Sequence, residues 1–101
     1  MLTGMSEQEG PLAGVRVLEL GSFIAGPFAG QLLGDYGAEV VKVEEPGGGD
    51  PMRGWGVTIG GESLWWPAIA RNKLSVAIDL RRPEGREIGR ASCRERVCLV
   101  V

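Results

Sequence analysis

The stretch VRVLELGSFIAGPFAGQLLGDYGAEVVKVEE, residues 15–45, decides the fold. Residues 15–20 (VRVLEL) predict a short strand, with Val15, Val17, Leu18 and Leu20 as its apolar positions, and Gly21 stops it. Helical spacing follows: Phe28, Leu32 and Tyr36 are four apart, with Leu33 beside them, which predicts an apolar helix face. Pro27 suits the first turn, where a missing N–H costs nothing. Gly37 suits the position after the helix, where a left-handed backbone ends it. Residues 38–45 (AEVVKVEE) then read as a second strand built on the β-branched Val40, Val41 and Val43. Strand, short helix and strand within about thirty residues predict a βαβ unit with a right-handed crossover.

Outward from this unit the chain is less regular. Residues 1–10 read as a flexible lead-in before Pro11. Residues 46–61 read as a long Gly/Pro loop, a feature usually functional or disordered inside a small domain. ESLWWPAIARNK, residues 62–73, predicts a helix or a broken helix around Pro67. A third strand is expected over residues 75–80. RRPEGREI opens another helix, with Pro83 near its first position and Glu84 in its first turn, where an acid suits the helix dipole. The expected class is α/β: a Rossmann-like βαβ start of a larger, incomplete parallel-sheet domain.

Composition excludes several chemistries. The chain contains no histidine, so a Ser/His/Asp triad, a Cys/His pair and His-ligated zinc cannot be built within it. A formal net charge of −2 argues against nucleic acid and polybasic membrane arms as partners. No apolar run approaches the ~20 residues of a membrane span, and the start lacks the apolar segment of a signal peptide, so a cytoplasmic location is expected. Cys93 and Cys98 make a poor metal signature and no disulfide framework; two ordinary thiols in a reducing compartment are expected.

In open α/β sheets ligands bind beyond the carboxyl ends of the strands. Three segments fall there: GSFIAG (residues 21–26), EEPGGGD (44–50) and RRP (81–83). The first opens a helix whose N–H groups could meet an anion. Yet Gly21, Gly26 and Gly30 do not match G-x-G-x-x-G, and close helix–strand packing uses glycines in the same way. Glu44 and Glu45 meet the rule of an acid after the second strand, a common occurrence. Spacing alone leaves phosphate binding and packing both open.

In order along the chain stand L-x-G-x-R-V-L-E-L, A-G-P, L-x-D-x-G-A-E-V-x-K-V-E, G-D-P-x-R, RNK and D-L-x-x-P-E-G. With these pieces, residues 11–87 closely resemble the N-terminal stretch of the class III CoA-transferases, the superfamily of formyl-CoA transferase, carnitine CoA-transferase and α-methylacyl-CoA racemase. RNKLSV and the full GGGDPMRGWG loop favour the transferase branch over the racemase. The resemblance implies a Rossmann-like domain that takes coenzyme A as acyl-CoA substrate, with no permanently bound cofactor. It implies a carboxylic acid as second substrate, an interlinked homodimer in the full-length protein, and an aspartyl nucleophile beyond residue 101. An alternative outside enzymology is a nucleotide-binding module or an inactive fragment.

The resemblance also carries the CoA contacts onto Phe23, Ile24 and Ala25, onto Glu45, and onto Ile78, Asp79, Leu80 and Arg81. Arg81 keeps a cation where formyl-CoA transferase has lysine. Glu45 departs, since an acid repels a CoA phosphate. Ile24 departs too, replacing a polar glutamine, which leaves formate or oxalate specificity open. Arg53 and Lys73 are further candidates for phosphate, or solvated surface charges. Asp35, Asp50 and Asp79 read as cap or turn acceptors rather than nucleophiles.

After Glu87 the family's long amphipathic helix gives way to IGRASCRERVCLVV. Residues 88–97 coincide residue for residue with the translation of a common sequencing adapter, so 88–101 is expected to be a non-native tail.

Overall fold

The expected strand–helix–strand unit forms. In the computed structural model, which describes residues 9–99, β1 (Arg16–Glu19) leads through α1 (Ala25–Asp35) to β2 (Glu39–Glu44). A 3-10 turn (Pro51–Gly54), a two-stranded hairpin of β3 (Thr58–Ile59) and β4 (Glu62–Ser63), and the short α2 (Trp66–Ala70) follow. Then come β5 (Lys73–Ala77), α3 (Pro83–Cys93) and β6 (Val97–Leu99). The main sheet has the order β5-β2-β1-β6, and every pairing in it is parallel. Most of the lead-in lies outside the described residues.

The core is small. Val17, Ala38 and Val40 are fully covered, with Leu12, Val15 and Leu33 packed against them. Each buried valine contributes roughly 1.5–3 kcal/mol relative to exposure. Gly37 closes α1 as expected, with φ of +105°. Its N–H donates to the Gly34 carbonyl at 3.0 Å and that of Ala38 to Leu33 at 3.1 Å, which satisfies the helix's last carbonyls.

Four expectations are corrected. The helix face built on Phe28, Leu32 and Tyr36 does not pack on the sheet: these side chains are 48%, 42% and 57% exposed. The buried positions are Gly26, Pro27, Gly30 and Gly34. Three glycines at every fourth residue remove the side chains from one face and let α1 lie close against the strands. A Cβ on Gly26 would stand 3.1 Å from the Gly21 Cα, and one on Gly30 would collide with the Glu19 carboxylate.

The loop expected over 46–61 contains the 3-10 turn and the hairpin, because Asp50 caps Met52 N–H at 2.8 Å and Pro51 starts the turn. The third strand begins at Lys73 and ends at Ala77, so residues 78–80 are not strand. The Ile78 N–H still reaches the Glu44 carbonyl at 3.0 Å, but Asp79 then folds the chain by accepting from Arg81 N–H at 3.0 Å. Finally, the two cysteines are not free thiols. The turn after α3 sets β6 beside β1 and brings the Cys93 and Cys98 Cα atoms to 5.7 Å, within bridging reach, and they form a disulfide.

Candidate functional site at the carboxyl ends of the strands

The register explains what lies beneath the site. Glu19 ends β1 and stands opposite Lys42 of β2. Both are buried, and the Lys42 ammonium lies 2.7 Å from the Glu19 carboxylate. The same ammonium donates to the Gly21 carbonyl at 3.1 Å and pairs with Asp50 at 2.8 Å. Lys73, at the start of β5, pairs with Glu19 at 2.7 Å and donates to the Pro27 carbonyl at 2.8 Å. Glu19 Oε1 and Asp50 Oδ2 each have a cation at ion-pair distance but no aligned hydrogen-bond donor. Their compensation is therefore coulombic, and strong in this dry setting. Burial pushes the Lys73 ammonium down in pKa, and the hydrogen bond to Glu19 opposes that shift.

A second acid-centred group adjoins it. Glu44, at the end of β2, accepts from Arg53 Nε at 2.7 Å and Nη2 at 2.6 Å, from the Asp50 N–H at 2.7 Å, and from the Ser75 hydroxyl. The Arg53 hydrogen bond is the main cause that draws its carboxyl down to about 2, against a burial that would raise it. Arg53 is held further by the Trp66 ring, 4.5 Å from the guanidinium carbon to the centroid. Both cations read as candidates for phosphate have acid partners within the chain: Lys73 is buried against Glu19, and Arg53, whose side chain is partly exposed, is paired with Glu44.

Above these groups opens a cleft of about 210 Å³. Leu20 and Ser22 line it from the β1 end, Glu45 and Gly49 from the β2 end, and Ile78, Asp79, Leu80 and Arg81 from the β5 end. Five of the expected site residues, Glu45 and Ile78 through Arg81, therefore share one cavity. Arg81 is exposed and lies 3.2 Å from Asp79 and 3.6 Å from Glu45. The Arg81 backbone N–H, more than its side chain, keeps the Asp79 carboxyl below its ordinary range, and the Asp79 hydrogen bond raises Arg81.

Phe23, Ile24 and Ala25 do not line this cavity. They are exposed and follow the lining residue Ser22, where α1 begins at Ala25 without a side-chain cap from Ile24; this segment is called the lip below. Phe23 holds a left-handed backbone, φ +67°, and its ring meets Trp55 at 5.4 Å between centroids. Asp50 and Asp79 are turn acceptors, as read from the sequence, and Asp35 pairs with Arg71 at 2.8 Å.

Sequence reasoning missed the floor of Glu19, Lys42, Asp50 and Lys73. The signal was present: strands of a parallel sheet read as near-continuous apolar runs, yet VRVLEL and EVVKVE each carry an opposite charge at one paired position. Among the described residues no cluster of His, Cys, Asp and Glu suits a metal ion, and no helix is long and apolar enough to cross a membrane.

The chain is 66% identical over 79 residues to the succinyl-CoA–D-citramalate CoA-transferase of Chloroflexus aurantiacus, covering 77% of the chain and 20% of that protein. It is 49% identical over 79 residues to the human succinyl-CoA:glutarate CoA-transferase, covering 18% of it. A crystal structure of a CAIB/BAIF family protein from Brucella suis superposes with a TM-score of 0.76 at 41% identity, covering 88% of this chain and 25% of that one. The chain thus spans about a fifth of the length of these curated relatives. The family model for CoA-transferase family III matches residues 12–91, most of the chain, and the protein belongs to that family.

Proposed function

We propose that the chain is the N-terminal part of an enzyme that moves CoA between an acyl-CoA thioester and a carboxylic acid. The observation that carries this reading is the cleft at three parallel strand ends, lined by Arg81, in a chain 66% identical to a citramalate CoA-transferase. Succinyl-CoA as donor and a small dicarboxylate as acceptor follow the names of the relatives. Phe23, Ile24 and Ala25 would form the lip over CoA, and Arg81 would meet a phosphate. Glu45, held near Arg81, would temper that charge.

The chemistry would be covalent. An aspartate carboxylate outside this chain attacks the thioester carbonyl, forming a mixed anhydride and releasing CoA thiolate. The thiolate attacks the aspartyl carbonyl, giving an aspartyl-CoA thioester and freeing the donor's carboxylate; the acceptor then takes CoA by the reverse steps. This chain's contribution is to bind and orient CoA. The full-length protein would act as an interlinked homodimer in the cytoplasm. The relatives named above are transferases, which weighs against the α-methylacyl-CoA racemase reading.

We read residues 88–101 as a non-native tail. Sequencing the locus across the Glu87–Ile88 junction tests this: family-like coding sequence past Glu87 supports it, and IGRASC in the genomic read refutes it. The full-length protein so obtained should transfer CoA from succinyl-CoA to citramalate or glutarate, while the 101-residue chain shows no turnover. Transfer by the short chain above a buffer control would overturn the placement of the nucleophile. In the full-length protein Ala25→Trp should weaken CoA binding about tenfold or more, since a bulky ring at the lip blocks close approach. Unchanged affinity by calorimetry removes that segment from the site.

A further inference from the structure

Beneath the cleft Lys42 joins three parts of the chain. Its ammonium, with a side chain only 3% exposed, meets Glu19 on β1, the Gly21 carbonyl on the segment after β1, and Asp50 on the loop after β2. It donates hydrogen bonds to the Glu19 carboxylate and the Gly21 carbonyl, and its charge faces Asp50 at ion-pair distance. Asp50 is itself the cap of the 3-10 turn through Met52 N–H.

Phe23 reports what this junction holds. A left-handed backbone is unfavourable for an aromatic residue and persists where the surroundings over-determine it. One restraint comes from below, two residues back, where Lys42 fixes the Gly21 carbonyl. The other comes from the side: the Phe23 ring lies against Trp55, which closes the turn that Asp50 begins. Both restraints lead to the same ammonium.

We propose that Lys42 is a positioning residue that locks the 21–25 segment and the 50–55 turn into one arrangement, and so sets the conformation of the lip at Phe23. It rests on the proposed function only for the choice of CoA as probe.

The test uses the full-length protein and three variants: Lys42→Met, Lys42→Arg, and the double variant Lys42→Met/Asp50→Asn, which also removes the buried carboxylate left without a cation and keeps a side-chain oxygen for the Met52 N–H. Amide exchange is followed first without ligand. Phe28 N–H, bonded to Ile24 O at 2.8 Å, reports the lip, and Met52 N–H, bonded to Asp50, reports the turn. Both should exchange about tenfold faster or more in the Met variants, as expected for losing a charged donor. The strand amides of Leu18 and Val41 should keep their protection, and Lys42→Arg should restore both reporters. CoA affinity by calorimetry should fall and recover in parallel. Faster exchange at only one reporter, or equally along the strands, overturns the proposal. So does failure of both Met variants to fold, which makes Lys42 purely structural. A wild-type protein that binds no CoA refutes the proposed function and leaves the exchange result to decide this one.

Discussion

Two clusters of opposite charges sit at the same end of one sheet and behave in opposite ways. Glu19, Lys42, Asp50 and Lys73 are buried, and their contacts are 2.7–2.8 Å. Arg81, Glu45 and Asp79 follow β2 and β5; Arg81 and Glu45 are exposed and Asp79 half-buried, and their contacts are looser, with Arg81 3.2–3.6 Å from its acids. Removing one partner from a buried set leaves an uncompensated charge in a dry place, which costs several kcal/mol. Removing one partner from an exposed set lets water replace it. The buried cluster therefore shapes the site, and the exposed cluster remains free to exchange its partners for a ligand.

The largest break in this contrast comes from a residue with no charge. Gly30 leaves room for the Glu19 carboxylate, and any Cβ there meets it. Gly30→Val should push Glu19 away from Lys42 and Lys73 and destabilise the full-length protein by about 3–5 kcal/mol, the range for breaking a buried pair. Denaturant unfolding measures it. A midpoint within error of wild type would show that the carboxylate moves without loss, and that the buried cluster is not a rigid floor.

Acid probes the group that adjoins this floor. Glu44 has its carboxyl lowered from 4.5 to about 2, chiefly by the Arg53 hydrogen bond. A depressed folded pKa means that the carboxylate's contribution is fully present above about pH 4.5. It is lost as pH falls from there towards 2. At about 1.36 kcal/mol per unit, that interval corresponds to up to about 3 kcal/mol. Urea midpoints of the full-length protein at pH 5, 4 and 3 should fall steadily, and Glu44→Gln should flatten part of the slope. An equal slope in the variant would assign the acid sensitivity to other carboxylates.

This same contrast divides what the sequence made legible from what it hid. The βαβ unit and the parallel sheet were readable, because Val17, Val40 and Gly37 act through local spacing and backbone preference. Five cleft residues were placed together by resemblance and by the rule for strand ends. The packing face of α1 was misread: the spacing of Phe28, Leu32 and Tyr36 is helical, but periodicity does not say which stripe meets the sheet when a glycine stripe competes with it. The ionic floor was hidden because it depends on strand register and on Asp50, which a loop brings in from outside the strands. The Cys93–Cys98 bridge was missed because it depends on a turn that spacing alone does not reveal.

On the exposed side the effects should be smaller and confined to the ligand. Arg81→Ala should leave the melting temperature of the full-length protein close to wild type, because water can solvate Asp79 and Glu45 in its place. CoA affinity should fall about five- to tenfold, through loss of a charge-assisted contact to phosphate. The loss should shrink as salt rises, since exposed charges are screened. A large drop in melting temperature with unchanged affinity would reverse the roles of the two clusters.

The smallest effect belongs to Glu45, and its sign is the informative part. This acid is exposed, 3.6 Å from Arg81, and lines the cleft where an anionic ligand is proposed. In the free protein it offsets part of the Arg81 charge, and in the complex it would repel phosphate. Neutralising it leaves Arg81 with one acid partner, Asp79, and makes the cleft more positive. Glu45→Gln should therefore tighten CoA binding, by about two- to threefold at moderate salt, where an exposed charge pair is worth a few tenths of a kcal/mol up to about one. Titration calorimetry at two salt concentrations reads it, with the gain larger at the lower one. Weaker binding in the variant would mean that Glu45 accepts a hydrogen bond from the ligand, and would place the phosphate elsewhere along the strand ends.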